Sequence, residues 1–204
     1  MAATNLIIGI GNPDPEHQNT RHNVGFMFLD YLANPSTSLR AGKTDFSAGG
    51  GPSSGWEFDK KSNSLITRAK IDKASMIFAK PQTYVNKSGE TVKKLIENCK
   101  LKIVNLIVVH DDLDIPFGNT KISFDKNSGG HKGVESIMRA LKTKKFYRLR
   151  IGLAKPALQK ARQQSDKKRD EFVVKMVLSE FSPSEKEQLK KVFKEAYAKL
   201  LQIK

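Results

Sequence analysis

The sequence of 204 residues predicts a single α/β domain, a three-layer sandwich in which a mixed, largely parallel sheet has helices on both faces. Two observations predict this class. Apolar runs of strand length alternate along the chain with amphipathic segments of helix length. The chain length and a hydrophobic content of 38% suit one core of ordinary size.

The predicted elements begin with a buried strand at residues 5–10, an apolar run that ends at Gly11, Asn12 and Pro13. The segment 22–33 carries apolar residues at helical spacing and predicts the first helix. Two paired strands and an amphipathic helix are predicted next, at residues 65–70, 75–80 and 88–99.

The second half of the chain continues the alternation. The final helix begins at a capping box, Ser182-Pro183-Ser184-Glu185, with proline at the first helical position. A short strand is predicted just before it, at residues 172–178. The remaining predicted elements are three strands and one helix: residues 104–110, 121–124 and 147–153, and residues 130–141.

One stretch interrupts this pattern. In residues 34–64 the hydrophobic periodicity fades and Gly, Ser and Thr accumulate. Such a composition is typical of a flexible loop or an insertion, and we expect one here within the single domain that spans residues 1–204.

Charge and cysteine content limit the classes of function. The formal net charge is +15, and residues 139–169 hold twelve Lys or Arg against one acid, Asp166. This clustering favours an anionic partner such as nucleic acid, and it is equally compatible with a solvated charged face. The single cysteine, Cys99, excludes an intrachain disulfide and a cysteine-based zinc site.

The chain also carries no obvious membrane or export segment. No apolar run approaches the roughly 20 residues that span a bilayer, and residues 1–5 lack the pattern of a signal peptide. We therefore expect a cytoplasmic protein.

Polar side chains follow three of the predicted strands. Asn12 follows the first strand, residues 81–86 follow the strand at 75–80, and Asp111, Asp112 and Asp114 follow the strand at 104–110. Ligands bind beyond the carboxyl ends of strands in open α/β sheets, so parallel strands would place these groups on one rim. The segment 20–23 returns to this rim and adds His22.

These residue types suit proton transfer. A histidine accepts a proton from water near neutral pH, and a helix N-terminus disfavours its charged form. A carboxylate bonded to the other ring nitrogen fixes the tautomer, and asparagine amides hold a peptide group or an oxyanion.

Other interpretations of the same residues remain open. A histidine at a helix start is more often a capping or packing residue, and the aspartates could cap a turn. The run Asp111-Asp112-x-Asp114 could also be a metal site, with His110 and His131 as nitrogen ligands. The glycine-rich segment 128–133 could bind a phosphate at a helix N-terminus or allow close packing. Residues 9–14 resemble a dinucleotide loop only weakly, because the third glycine is missing.

Five motifs, in order, resemble the bacterial-type peptidyl-tRNA hydrolases. They are GIGNPDPEHQNTRHNVG, KPQTYVNKSG, VVHDDLDIPFG, NSGGHKGVESI and FYRLRIGLAKP. The resemblance covers nearly the whole chain except residues 34–64, and five ordered motifs are a specific pattern.

The resemblance implies a role for each matching residue. His22 would be the general base that activates water, and Asp111 would support it. Asn12 would contact the peptide, Asn86 would hold the substrate, and Tyr84 would contact the terminal nucleotide or the peptide. The other residues implied in substrate or tRNA binding are His17, Lys121, His131, Lys132 and Arg150, with help from the helix that bears Arg139 and Lys142. The family uses no metal or organic cofactor and is usually monomeric.

Four positions depart from the family pattern. His17 stands where tyrosine is usual, and its imidazole can still stack on a base. Lys132 stands where asparagine is usual, so a group that donates and accepts becomes a cationic donor. Asp14 replaces a glycine and Val85 replaces a methionine.

The predicted function is therefore hydrolysis of the ester that joins a peptide to tRNA. Two alternatives use the same residues. One is a non-catalytic RNA-binding protein on this fold, similar to relatives that act with splicing factors. The other is a metal-dependent hydrolase built on His110, Asp111 and Asp114.

Overall fold

One mixed sheet forms the centre of the fold in this computed structural model, which describes residues 4–34, 44–45, 55–71 and 74–203. The strand order is β2-β4-β5-β1-β6-β8-β7, with β3 paired to β4. The strands are β1 (Thr4–Gly9), β2 (Thr44–Asp45), β3 (Glu57–Asp59), β4 (Ser64–Ile71), β5 (Ala74–Pro81), β6 (Leu106–Pro116), β7 (Thr120–Phe124) and β8 (Tyr147–Ala154).

The four central strands, β5, β1, β6 and β8, are parallel, and the antiparallel strands β4 and β7 flank them. The predicted mixed, largely parallel sheet is confirmed. The carboxyl ends of the central strands share one rim, where ligands bind in this class of fold.

Six helices are described: α1 (Val24–Ala33), α2 (Ser88–Asn98), α3 (Lys132–Leu141), α4 (Pro156–Ala161), α5 (Asp166–Val177) and α6 (Pro183–Leu200). They cover both faces of the sheet, and the buried side chains of β1 alternate between these two faces. Ile7 packs in a core with residues of α1 and α6, whereas Leu6 and Ile8 pack with residues of α2 and α3. This arrangement confirms the three-layer sandwich.

The final helix begins as the capping box predicts. The Ser182 hydroxyl accepts from the Glu185 amide, and the Glu185 carboxylate accepts from the Ser182 amide at 2.8 Å. Among the residues that the structure describes, no helix is both long and apolar enough to cross a membrane.

The predicted strand at residues 172–178 is wrong, because this segment belongs to α5. Ser165 lies at the helix N-cap position and Asp166 in the first turn, where an acid interacts favourably with the helix dipole. The apolar residues Phe172, Val173, Met176 and Val177 recur at helical spacing, and each is half-buried. Two β-branched valines therefore favoured the wrong element type.

The predicted loop at 34–64 is partly a strand. Residues 57–59 form β3, which pairs with the start of β4, and Asn63 has a left-handed φ of 51° in the turn between them. Residues 44–45 form β2. The rest of that prediction, at residues 35–43 and 46–54, lies outside the described residues.

Candidate active site

The segment between β1 and α1 is held close to the central strands by glycines. A Cβ atom on Gly25 would lie 2.6 Å from the carbonyl oxygen of Val109 and 2.7 Å from that of Ile10. A Cβ atom on Gly9 would lie 2.6 Å from the carbonyl oxygen of Gly25. No side chain fits at such distances, so glycine at both positions allows the 3-10 turn Arg21–Asn23 to approach β6.

Within this turn, His22 makes a hydrogen bond to Asp111 on β6. Nδ1 of His22 lies 2.8 Å from Oδ1 of Asp111. The Asp111 carboxylate is 3% exposed and the His22 side chain is 18% exposed. Because a carboxylate only accepts, Nδ1 carries the proton and Nε2 of the neutral ring is an unprotonated base. His22 is thus a base that water can reach.

The same carboxylate oxygen accepts from a second histidine. Nε2 of His131 lies 2.9 Å from Oδ1 of Asp111, and the His131 side chain is 9% exposed. His131 is the N-cap residue of α3, and its Nδ1 accepts from the amides of Gly133 at 3.1 Å and Val134 at 3.3 Å. An accepting Nδ1 requires the proton to be on Nε2, so both nitrogens of His131 have assigned roles.

A third imidazole, that of His110, packs behind this pair. Its ring centroid lies 4.7 Å from that of His131, and its Nδ1 donates to the main-chain carbonyl of Asp111 at 2.6 Å. Complete burial holds the pKa of His110 well below its ordinary value, and nearby His131 and Arg148 act in the same direction. His110 therefore contributes an uncharged surface behind the site.

The pKa of His22 lies above its ordinary value of 6.5. Burial is the largest single influence and lowers this pKa, but the charge and the hydrogen bond of Asp111 together outweigh it. A helix N-terminus is expected to disfavour the charged ring, whereas the observed net effect favours it. His22 lies in a turn before α1, and its closest charged partner is a carboxylate.

The Asp111 carboxylate is a strong partner for both rings. Burial alone would raise its pKa, yet electrostatic interaction and hydrogen bonds with the His22 and His131 rings hold the pKa far below its usual range. Asp111 and Asp112 lie inside β6, which continues to Pro116, and not beyond a strand that ends at residue 110. The structure thus brings Asp111 close to His22, as the rim prediction expected, but the strand boundary in that prediction is wrong.

Asn12 is clamped at the end of β1 by its neighbours. Its amide donates to Asn23 Oδ1 and its carbonyl accepts from Asn23 Nδ2, both at 2.8 Å. Its own side-chain Oδ1 accepts from the amide of Val85 at 3.0 Å. Sequence reasoning did not assign a role to Asn23, although the buried asparagine directly follows His22 and could have been found by that adjacency.

Two other predicted residues lie exposed beyond the end of β5. Tyr84 is 53% exposed, and Asn86 lies in the 3-10 turn Val85–Lys87. A hydrogen bond from the Tyr84 hydroxyl to the Asp14 carboxylate, together with the charge of Asp14, raises the pKa of Tyr84. His17 ends the turn that follows Asp14, with its Nδ1 3.6 Å from carboxylate oxygens of both Asp14 and Glu16.

A cavity of about 240 Å³ lies beside Asn12. Its walls come from the turn after β1, from α1 and from β4 and β5. Buried Lys80 on its wall donates to Asp30 at 2.6 Å and lies 4.2 Å from the centroid of the Trp56 ring. The wall of the cavity therefore contains the Lys80 amine, whose charge is balanced by Asp30, together with polar and apolar side chains.

The predicted phosphate-binding residues lie in three places. Exposed Lys121 on β7 is paired in register with Arg150 on β8, and Nε of Arg150 donates to Asp112 at 2.7 Å. Exposed Lys132 is the first residue of α3, directly after His131. Arg139 and Lys142 are at the other end of that helix, roughly 10–15 Å along its axis from Lys132.

The segment that carries His22 is anchored from α6. Arg21 makes a bidentate ion pair with Glu185 at 2.9 and 2.8 Å, and its guanidinium lies 4.7 Å from the Phe181 ring centroid. Glu185 also pairs with Lys155. These contacts hold the Glu185 pKa far below its usual range against the effect of burial.

The residues of the metal-dependent alternative do not gather into one ligand set. Over the described part of the chain, the groups with ligand spacing are His22–Asp111–His131 and Asp14–Glu16–His17. In the first group, the imidazole nitrogens that face Asp111 both carry protons, so a cation there would have to displace them. Asp114 instead pairs with Arg162 at 2.5 Å.

A comparison with known proteins decides the family. The family model described as "Peptidyl-tRNA hydrolase" matches residues 6–203. The chain belongs to the peptidyl-tRNA hydrolase family. It is 41% identical over 191 residues to a peptidyl-tRNA hydrolase of Aquifex aeolicus, covering 94% of this chain and 85% of that protein. It is 35% identical over 200 residues to one of Thermodesulfovibrio yellowstonii, covering 97% and 91%.

Solved structures of this family have the same fold. A crystal structure of a peptidyl-tRNA hydrolase in complex with N-propanol matches with a TM-score of 0.76 and 26% identity, covering 98% of this chain and 88% of that one. The hydrolase of Acinetobacter baumannii matches with a TM-score of 0.74, at 24% identity over 100% of this chain and 93% of its own. The α/β architecture is therefore that of the family.

Proposed function

We propose that this protein hydrolyses the ester bond between the peptide and the tRNA of peptidyl-tRNA, releasing free tRNA for reuse in translation. The observation that carries the proposal is the hydrogen bond between His22 Nδ1 and buried Asp111 at 2.8 Å, which leaves Nε2 of a partly exposed ring as a base. Membership of the family supports the substrate class.

Nε2 of His22 takes a proton from water as the oxygen attacks the ester carbonyl. The imidazolium that forms is stabilised by Asp111, in keeping with the raised His22 pKa. When the tetrahedral intermediate collapses, the bond from carbon to the ribose oxygen breaks and the imidazolium returns the proton to that oxygen. The products are a free peptide carboxyl group and a free tRNA hydroxyl group.

Asparagine amides position the ester. Oδ1 of Asn12 is occupied by the Val85 amide, so its Nδ2 hydrogens are the groups that donate to a carbonyl of the peptide. Asn86 is exposed on the neighbouring turn and holds the substrate from the other side. The exposed ring of Tyr84 offers a surface on which the terminal base or a peptide side chain stacks.

Basic residues bind the tRNA acceptor stem. Lys121 and Arg150 are cross-strand neighbours, which places their Cβ atoms about 4.5–5.5 Å apart. Arg150 is already paired with Asp112, so a phosphate that approaches this pair meets mainly the exposed amine of Lys121. Lys132, His17 and the far end of α3 add contacts that are largely independent of base sequence.

We also propose that the protein acts as a monomer in the cytoplasm, where translation produces its substrate. A non-catalytic RNA-binding role is the weaker alternative. It leaves the buried His22–Asp111–His131 arrangement without a purpose, and the similar proteins of Aquifex aeolicus and Thermodesulfovibrio yellowstonii are named as hydrolases.

Turnover of an N-blocked aminoacyl-tRNA tests the proposal. We expect the wild type to release the blocked amino acid in the presence of a strong chelator as well as in its absence. His22→Ala should lower kcat by about 10²- to 10⁴-fold, the usual contribution of a general base. Binding of uncharged tRNA to this variant, measured alongside, should stay at the wild-type level.

Three results would contradict this proposal, and each has a different consequence. Tight RNA binding by the wild type without turnover would support the RNA-binding alternative. Turnover by His22→Ala at the wild-type rate would refute the assignment of the base. Loss of wild-type activity on chelation would support the metal-dependent alternative.

A further inference from the structure

Both ring nitrogens of His131 make hydrogen bonds to other parts of the protein. Nδ1 accepts from the Gly133 and Val134 amides at the start of α3, and this fixes the proton on Nε2. Nε2 lies 2.9 Å from the carboxylate oxygen that His22 also uses. The helix start therefore decides which nitrogen of His131 faces Asp111.

The ring of His131 is held in place from several sides. The His22 ring centroid lies 5.2 Å away and that of buried His110 lies 4.7 Å away. A Cβ atom on Gly133 would lie 3.1 Å from Cε1 of His131, so glycine leaves room for the imidazole. The side chain is only 9% exposed, which leaves it little surface with which to meet a substrate.

We propose that His131 is a positioning residue that acts on the general base through Asp111, and is not a substrate contact. The carboxylate of Asp111 can rotate, and a single hydrogen bond to His22 would not fix its orientation. The second donor, set by α3, keeps Oδ1 directed at Nδ1 of His22. His22 therefore keeps its proton on Nδ1 and its lone pair on Nε2.

This inference rests on the proposed hydrolase activity and differs from the role that family resemblance implies for His131, which is contact with the substrate or tRNA. The two roles predict different kinetics. Removing a group that binds the substrate equally in the ground state and the transition state raises KM, whereas removing a group that orients the base lowers kcat.

Two variants separate the hydrogen bond from His131 to Asp111 from the hydrogen bonds that His131 accepts at the start of α3. In His131→Asn the short side chain keeps an oxygen near the position of Nδ1, and asparagine is a strong helix N-cap, but it does not reach Asp111. In His131→Gln the longer side chain brings an amide N–H near the position of Nε2. Thermal unfolding of both variants shows whether the cap and the fold are kept.

We expect His131→Asn to unfold close to the wild-type temperature and to show a kcat about 10- to 100-fold lower with KM unchanged, the size of one hydrogen bond to a charged group. His131→Gln should recover a large part of this decrease in kcat. In an Asp111→Asn background, His131→Asn should change kcat by less than about twofold, because the residue acts through that carboxylate.

Nitrogen-15 NMR of the imidazole rings tests the arrangement in the wild-type protein without turnover. We expect an unprotonated Nδ1 and a protonated Nε2 for His131, and a protonated Nδ1 for neutral His22. In His131→Asn, His22 should become a mixture of its two tautomers.

The opposite results overturn the inference. They are a protonated Nδ1 on His131 in the wild type, a raised KM with unchanged kcat in His131→Asn, or decreases in kcat that add to those of Asp111→Asn. Absence of wild-type turnover would instead count against the proposed function, and the NMR measurement would still decide the arrangement of His131.

Discussion

Two clusters of imidazole and carboxylate groups include residues of the segment between β1 and α1, and they differ in construction. In the buried cluster, His22 and His131 lie 2.8 and 2.9 Å from Asp111. In the outer cluster, Nδ1 of His17 lies 3.6 Å from both Asp14 and Glu16, too far for a hydrogen bond.

The difference follows from where the members come from. Asp111 is on β6, His131 begins α3 and His22 lies in the turn before α1, so three separately packed elements hold the buried cluster. The members of the outer cluster are neighbours in sequence, with Asp14 at the N-cap position of one 3-10 turn and Glu16 and His17 within it. We conclude that convergence from separate elements gives His22 a defined tautomer and a raised pKa.

The largest expected effect is that of removing the buried charge. Asp111→Asn should lower kcat by about 10²- to 10⁴-fold, because an amide N–H facing Nδ1 favours the wrong tautomer of His22. The acid limb of kcat/KM, which reports the His22 pKa in the free protein, should lie above pH 6.5 in the wild type.

The same limb should move to lower pH in Asp111→Asn. Asp111 raises the His22 pKa and burial lowers it, so burial alone remains when the carboxylate is removed. A limb at the wild-type pH in this variant would show that Asp111 does not tune the base.

The next effect concerns the anchor of the buried cluster. Glu185→Ala should lower the free energy of unfolding by about 3–5 kcal/mol, because it leaves the buried guanidinium of Arg21 without its bidentate partner. Denaturant unfolding measures the change. Glu187→Ala, which removes an exposed partner of Lys190 on the same helix, is the matched control and should change little.

A smaller effect is expected at the first residue of α3. Lys132→Asn should reduce the slope of log affinity for tRNA against log salt by about 0.7–0.9, the contribution of one phosphate contact. Lys190→Asn removes an exposed lysine of α6 and serves as the control, with an unchanged slope. Equal slopes for Lys132→Asn and the wild type would place Lys132 away from the phosphates.

The smallest effect is expected in the outer cluster. The double change Asp14→Gly and His17→Tyr, which introduces the residues usual in the family, should alter kcat and KM by no more than about twofold, because the contacts of His17 with Asp14 and Glu16 are too long for hydrogen bonds and a tyrosine ring can stack on a base as an imidazole does. A larger decrease, measured by turnover of the same blocked substrate, would mean that the outer turn is as specifically built as the buried cluster.

Much of the fold could be predicted because its signals are local. The apolar run at residues 5–10 and the capping box at Ser182 both have their expected structures. The error at residues 172–178 has a physical cause, since adjacent valines fit a strand or a partly buried helical face equally well. The helical spacing of the half-buried residues Phe172, Val173, Met176 and Val177 favours the helix that forms.

The grouping of polar residues at the rim could be predicted from the sequence better than their arrangement. His22, Asp111 and Asn12 could be selected because polar residues after apolar runs fall on the carboxyl rim of a parallel sheet. The role of His131 could not, because it depends on α3 beginning one residue after it and on Asp111 lying within reach of its Nε2.

By itself, then, the sequence determined the layered fold, the family motifs and the chemical groups available for proton transfer, since these depend on periodicity and residue type. Only the tertiary structure decided which imidazoles share the Asp111 carboxylate, which ring nitrogen faces it and in which direction the His22 pKa moves. Those properties depend on distances of about 3 Å between residues as far apart in the chain as His22 and Asp111, and on the burial that strengthens their interaction.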